Sequence, residues 1–463
     1  MIQVKQQQEF ENLQRIEMLI LKHKMDRTLF QNVNNCNKKA IEVITKAPFN
    51  EKSVKTPTLC QISEQKIYEL AQKMKTKQAQ LFKKNYKYTQ YNFETGHTTI
   101  LGKRATQEDS HVISNKNIYP NLSIGAVFDG HSGSQCSAFC GSNFLQCFDE
   151  VYRPAQFQIE KQICEQLFLN LNQKFFNSQN GQTPPSGSTA TAFILDNESN
   201  SIYFINTGDS RQIFRDGDYL IQATYDHKPD VKAEKERIER AGGKVEVMFG
   251  TPRVNGNLAV SRTIGDFDYK DLEKLRRLSP NSTNMKKDTE NTKDLVIADP
   301  EVTIFETVQD LKYILTACDG LWDVLQVEDA DIAIMACINY VLNMQTRKED
   351  IVETDTPQSG RLSDMTKVVK PETKQQSIAK AMTKYMEGKI QEADKILLAI
   401  SGVVTDETTI AQPQEDPKFN FSETVACLLT RLAYMLGSTD NITCVLFVPT
   451  NDALKSYRFK QYK

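Results

Sequence analysis

Four aspartates in this chain each stand where an apolar, strand-like run meets a tight turn. They are Asp129 in Ala126-Val-Phe-Asp-Gly-His131, Asp209 in Phe204-Ile-Asn-Thr-Gly-Asp-Ser-Arg211, Asp319 in Tyr313-Ile-Leu-Thr-Ala-Cys-Asp-Gly320, and Asp440 in Ser438-Thr-Asp-Asn-Ile-Thr-Cys-Val445. A carboxylate at the end of a buried strand is costly unless positive charge meets it. The few basic residues near these turns cannot neutralise all four. Convergence on hard divalent cations satisfies them together, and marks the chain as a candidate metal enzyme.

Such a centre has a definite chemistry. Two cations that share one water lower its pKa and orient it for in-line attack on phosphorus. The reaction also needs a cation to bind the substrate's non-bridging oxygens and an acid to protonate the leaving alkoxide. Asp129-Gly130 offers a carboxylate beside a glycine whose carbonyl a metal can approach. His131 follows directly, placed as a general acid. Arg104 precedes Glu108 and Asp109 in Arg104-Ala-Thr-Gln-Glu-Asp109, and its fork suits phosphate. Taken singly these pieces have ordinary readings: an Asx turn, a structural histidine, a surface ion pair. The ordered set carries the argument.

Composition narrows the class. The chain has 463 residues, 39% apolar and 25% charged, with 57 Lys+Arg against 59 Asp+Glu and a net charge of −2. That balance gives no bulk attraction to nucleic acid or an anionic membrane. No apolar run reaches the roughly 18 residues of a membrane span, and Met1-Ile-Gln-Val-Lys-Gln-Gln-Gln has no secretory apolar stretch. The ten cysteines show no CxxC pair, and Cys136 and Cys140 read as helix packing. Reduced thiols and a cytoplasmic location are expected. With five histidines and none at ligand spacing, the metal should have oxygen ligands, hence Mg²⁺ or Mn²⁺.

The elements that must position these residues begin near residue 96. Residues 1–95 form a Gln-, Lys- and Asn-rich arm with a basic excess of roughly eight, helical over Phe10–Phe30 and Ile62–Phe82. Beyond it, short apolar runs alternate with turns: 98–101, 124–128, 191–195, 202–206, 295–298, 313–317 and 443–448 read as strands. Helices are expected over 134–150, 158–173, 230–240 (capped by Asp230 and stopped at Gly242-Gly243), 324–342, and from a Ser422 cap to Met435. Strands outnumber crossover helices, which favours a mostly antiparallel α+β domain over a parallel one. Two stretches interrupt it, near 278–294 and 344–421. The second carries an amphipathic series, Ile378, Met382, Tyr385, Ile390, Ala393 and Leu397, whose apolar stripe must be buried against the core or against another protein. The arm 1–95 is open to the same alternative.

The ordered set resembles the metal-dependent serine/threonine protein phosphatases of the 2C type, from about Thr98 to Val448. Arg104-Ala-Thr-Gln-Glu-Asp109 and Val127-Phe-Asp-Gly-His-Ser-Gly133 resemble the family's first two elements. Gly187-Ser-Thr-Ala190, Gly208-Asp-Ser-Arg211, Asp226-His-Lys-Pro229 and Glu236-Arg-Ile-Glu-Arg-Ala-Gly-Gly243 follow in order. The stretch from Arg253 to Lys270, with Ser261-Arg-Thr-Ile-Gly-Asp-Phe-Asp-Tyr269 inside it, is the longest match. Asp319-Gly-Leu-Trp-Asp323 and Asp440-Asn-Ile-Thr443 complete the set.

The resemblance implies a four-layer αββα sandwich, two packed antiparallel sheets flanked by helices, with two Mg²⁺ or Mn²⁺ ions at one edge. It implies that Asp129 bridges the metals, with the Gly130 carbonyl, Asp319 and Asp440 as direct ligands. Glu108 and Asp109 would act largely through waters, and Asp209 and Asp323 at a weaker third site. Arg104 would bind phosphate, His131 would protonate the leaving group, and a metal-bridging water would attack phosphoserine or phosphothreonine directly. Ser132 stands where the family has glycine, and Thr263-Ile264 replaces Ala-Leu. Phosphorylated proteins are the implied substrates, without nucleic acid or membrane insertion. The alternative is a catalytically weak or inactive phosphatase-like scaffold acting through its extensions. A nucleotide-binding enzyme is not supported, since no GxxxxGK[ST] or strand-linked GxGxxG occurs.

Overall fold

The structure, a computed structural model, describes residues 92–114, 119, 121–155, 158–180, 182–277, 294–306, 308, 310–350, 372–402 and 420–450, together with 34–35 and 60–61. The chain divides into two compact units, Met1–Tyr88 and Thr89–Lys463. In the first, Asn34–Asn35 pairs antiparallel with Cys60–Gln61. The helices expected over Phe10–Phe30 and Ile62–Phe82 lie outside the described residues, as do 278–293 and much of 344–421.

The second unit runs β1 Phe93–Ile100, β2 Ser110–Ile113, β3 Leu122–Phe128, β4 Gly130–His131, α1 Gln135–Tyr152 and α2 Lys161–Ser178. It continues with β5 Gly187–Ser188, β6 Ala190–Asp196, β7 Ser201–Thr207, β8 Arg211–Asp216, β9 Tyr219–Gln222, α3 Lys232–Arg240, β10 Val245–Met248, β11 Thr251–Val254, β12 Ile264–Gly265 and α4 Leu272–Arg277. It ends with β13 Glu301–Phe305, β14 Leu311–Ala317, α5 Asp319–Trp322, α6 Val327–Asp350, α7 Lys374–Met386, α8 Ile390–Ser401, α9 Phe421–Met435 and β15 Ile442–Pro449.

Two five-stranded sheets carry the domain, in the orders β9-β8-β14-β15-β1 and β13-β7-β6-β3-β2. Every strand pairing in them is antiparallel. Successive side chains on a strand point to opposite faces, and the sequence uses both. Val127, Phe193, Leu195, Ile202 and Phe204 of one sheet meet Phe214, Ile314, Val445 and Phe447 of the other in the central core. Their alternates, Ile124, Ala126, Phe128, Ala192, Ile194 and Ile205, face α1 and α2 through Cys140, Phe144, Phe148, Leu167, Phe168 and Leu171. On the opposite side Ile213, Tyr313, Leu315, Cys444 and Leu446 pack under α6 to α9. These three cores make the αββα sandwich. Burying each large apolar side chain is worth about 1.5–3 kcal/mol, so strands apolar on both faces are held in register by both layers.

The series in the second interruption forms α7 and α8, and Ile378, Met382, Tyr385, Ala393 and Leu397 are fully buried in the α6–α9 core. Asp394 accepts the Tyr385 hydroxyl at 2.5 Å and a bidentate fork from Arg431 of α9 at 3.0 and 2.5 Å. The described part of this segment therefore belongs to the sandwich.

Several local expectations are corrected. Residues 295–298 form no strand; Ile297 makes a single bridge to Arg262. The helix after Pro229 starts at Lys232, and Asp230 does not cap it. Asn420, not Ser422, caps α9, in a capping box with Glu423. Ser422 Oγ instead donates to the Glu94 carbonyl.

Candidate active site

Each strand-end aspartate arrives where the sequence placed it. Asp129 follows β3, Asp209 follows β7, Asp319 opens α5 after β14, and Asp440 precedes β15. The peptide at Asp129 is fixed on both sides. Its N–H donates to Thr189 Oγ1 at 3.2 Å, and its carbonyl accepts the Thr189 N–H at 2.8 Å and the Ser188 hydroxyl at 3.1 Å. Thr189 Oγ1 in turn shares a hydrogen bond with Ser210, beside Asp209, at 2.8 Å. Gly130 is required by close approach. A Cβ there would overlap the Glu108 carbonyl oxygen and come within 2.7 Å of Ser137 Oγ.

The segment carrying Arg104, Glu108 and Asp109 is pinned by Asn441, next to Asp440. Asn441 Nδ2 donates to the carbonyls of Leu101 and Thr106 at 2.8 and 3.0 Å, and its Oδ1 accepts the Glu108 N–H at 2.9 Å. Glu108 Oε2 accepts the Gly133 N–H, and Asp109 accepts the Thr443 hydroxyl at 2.6 Å. Asn441 thus locks the two ends of the chain's chemistry together. Arg104, mostly exposed, pairs with Asp440 at 2.6 Å.

The carboxyls crowd one another. Asp129 is held well above the usual carboxylate range by burial, then by Asp319, Asp109 and Asp209. Asp319 is raised by burial, then by Asp209 and Asp323, with Lys228 opposing. Burial lifts Asp109 to about 6, and Asp323 is raised by burial and by Asp209 against Lys228. Lys228 grips Asp209 directly, and that contact lifts the ammonium's pKa despite burial. Lys228 and Arg104 are the cations that act most strongly on these carboxyls, two against six, so negative charge dominates the cluster. Oxygen donors with surplus charge fit hard divalent cations. Cys318 Sγ lies within 4.8 Å of carboxylate oxygens of Asp109 and Asp129. Burial and the surrounding aspartates push its thiol up, and it donates to the Asn441 carbonyl at 3.4 Å.

His131 directly follows the glycine, and its partner comes from a distant loop. Nε2 lies 2.9 Å from both oxygens of Asp266. Burial lowers the imidazole pKa, but the bond to Asp266 and its charge outweigh this and raise it. Asp266 is itself buried, with a left-handed backbone at φ +50°. A Cβ on Gly187 would collide with its carboxylate, so the neighbouring strand must be bare there. Ser132 adopts φ +56°, the conformation glycine takes most easily. Asp266 sits in the longest family-like stretch, yet nothing local distinguishes it from a turn aspartate. Lys228 was equally hidden, one base in a polar loop.

An αββα sandwich with a carboxylate cluster at the strand ends defines a class, and the comparisons agree with it. The family model for Protein phosphatase 2C matches residues 93–346, more than half of the chain. The chain belongs to the protein phosphatase 2C family. It is 34% identical over 234 residues to Protein phosphatase 2C homolog 3 of Schizosaccharomyces pombe, covering 49% of this chain and 51% of that one. It is 34% identical over 250 residues to Protein phosphatase 1B of Rattus norvegicus, covering 50% and 59%. Protein phosphatase 1A of Bos taurus is 30% identical over 318 residues, covering 65% of this chain and 78% of its own. The chain thus spans little more than half the length of the first two relatives. No helix among the described residues is long and apolar enough to cross a membrane.

Proposed function

We propose that this chain is a metal-dependent phosphoprotein phosphatase that hydrolyses phosphoserine and phosphothreonine. One observation carries the reading: Asp109, Asp129, Asp209, Asp319, Asp323 and Asp440, drawn from both sheets, repel one another electrostatically with Lys228 and Arg104 as the opposing cations. Two Mg²⁺ or Mn²⁺ ions would be held by Asp129, the Gly130 carbonyl, Asp319 and Asp440, with Glu108 and Asp109 in the outer ring. A weaker third would sit at Asp209 and Asp323, where Lys228 competes. When bound, the ions supply a water of lowered pKa for direct attack on phosphorus.

The chain's own groups do the rest. Arg104 spends one guanidinium nitrogen on Asp440, and its remaining donors face a phosphate's non-bridging oxygens. His131 donates the proton to the leaving serine or threonine oxygen. With Nε2 committed to Asp266, Nδ1 is the atom that delivers it. Asp266 fixes the ring and favours its protonated form. The eight described cysteines are all free, which supports a reducing compartment such as the cytoplasm. The test is phosphate release from a phosphoserine peptide with Mn²⁺ or Mg²⁺, with and without chelator. Release that is unaffected by chelation defeats the proposal.

A further inference from the structure

A cavity of about 180 Å³ lies beside the His131–Asp266 pair, lined by Ser132, Pro185, Leu258, Asp266, Asp268 and Tyr269 among others. It adjoins the centre directly, since Ser132 follows His131 and Asp266 holds the imidazole. Its walls are of two kinds. Pro185, Leu258 and Tyr269 offer apolar surface. Asp266 and Asp268 offer carboxylates, and the two are not equivalent. Asp266 is engaged by His131, with the Lys270 ammonium close by and held by the carbonyls of Thr263 and Gly265. Asp268 is exposed and makes no ion pair among the described residues. Neither Lys270 nor Arg253 lines the cavity; Arg253 donates to the Asn257 carbonyl at 2.5 Å.

An apolar wall leading to an uncommitted carboxylate complements a long basic side chain, whose methylene stem lies on the wall while its head reaches the charge. We infer that this cavity is a subsite for a lysine or arginine close in sequence to the phosphorylated residue, and that Asp268 selects it. The inference rests on the phosphatase reading. With the phosphate at Arg104 and the carboxylate cluster, and the leaving oxygen at His131, an extended peptide advances about 3.3 Å per residue. A residue one or two places along therefore passes Ser132 and enters the cavity. An acidic residue there would meet two like charges.

The test uses phosphoserine peptides of equal length with Arg, Ala or Glu placed in turn at each position within two residues of the phosphoserine. At one position, Arg is expected to exceed Glu by about tenfold in kcat/KM, with Ala between, and added salt should shrink the ratio. Asp268→Asn should erase the preference and Asp268→Lys should reverse it. Both should leave p-nitrophenyl phosphate turnover unchanged, because that substrate has no flanking residue. Equal kcat/KM for all peptides, or a preference that survives Asp268→Asn, overturns the subsite and leaves the phosphatase reading standing. If neither the peptides nor p-nitrophenyl phosphate is hydrolysed with divalent cation supplied, the phosphatase reading itself has failed and the subsite falls with it.

Discussion

Replacing Asp129 by asparagine should separate the two roles of the carboxylate cluster, because its effect on stability changes sign with metal. Without cation, burial and the neighbouring Asp319 and Asp109 disfavour the Asp129 charge. An amide relieves that repulsion, so the chelated variant should melt above the chelated wild type. A cation that binds only the folded protein stabilises it by about 2.7 kcal/mol at a hundredfold excess over Kd. Spread over Thr89–Lys463 at about 2.1 cal/mol/K per residue, this raises the wild-type Tm by about 3–4 °C. Asp129→Asn should lose most of that rise, and peptide turnover should fall to background. The sign with pH follows from Asp109, whose folded pKa of about 6 exceeds that of an unfolded aspartate. The folded state then binds more protons, so this carboxyl costs stability as pH rises through that value. Protons and cations compete for the same oxygens, so the metal-induced rise should be larger at about pH 8 than at about pH 5. Scanning calorimetry of both proteins, in chelator and in Mn²⁺, measures all of this. A full cation-induced rise in Asp129→Asn, or none in the wild type, would refute the reasoning.

Three further outcomes are expected. His131→Gln, and less severely Asp266→Asn, should slow phosphoserine hydrolysis by about 10²–10⁴-fold while sparing p-nitrophenyl phosphate, whose leaving group needs no proton; equal losses on both substrates would remove the acid role. Gly130→Ala must displace the Glu108 carbonyl or Ser137, at about 1–3 kcal/mol, and should weaken the apparent metal affinity in a Mn²⁺ titration. Burial opposes the ionised Glu234, but Arg262 and Arg237 hold it at about 2, so its contribution is complete above about pH 4.5 and lost as pH falls toward 2, up to about 3 kcal/mol; Glu234→Gln should flatten that acid limb in urea melts at graded pH.

The strand ends and their aspartates were legible because a charge that closes an apolar run is a local anomaly. So was the stripe of Ile378, Met382 and Tyr385, although which surface covers it is a tertiary fact. Strands β8 and β9 are hidden in the sequence because Arg211, Arg215 and Asp216 interrupt the apolar series of β8 and β9 is only four residues long; β8 is held by its pairing with β14, and β9 by its pairing with β8. The apolar residues at 295–298 mimic a strand but serve as packing beside α3, where Val296 and Ile238 are buried together. Asp266 could not be found locally, since what distinguishes it is His131, 135 residues away. The α9 cap lies two residues before Ser422, at Asn420, and serine and asparagine both cap well. Glu423 decides it, sitting three residues after Asn420.

The order of strands in the first sheet has a consequence for how the protein is made. β1 pairs in that sheet only with β15, so the Asn92 carbonyl waits 358 residues for the amide and hydroxyl of Thr450. Ser438, which caps the Gly320 carbonyl, lies 118 residues beyond it. During synthesis the ribosome releases Arg104, Asp129, Asp209 and Asp319 long before Asp440. Until β15 emerges, β14 and β1 both present open edges, a state prone to mispairing. The proposed activity should therefore switch on only after β15 has been made, and chains stalled before Ile442 should be chaperone clients and not slow enzymes.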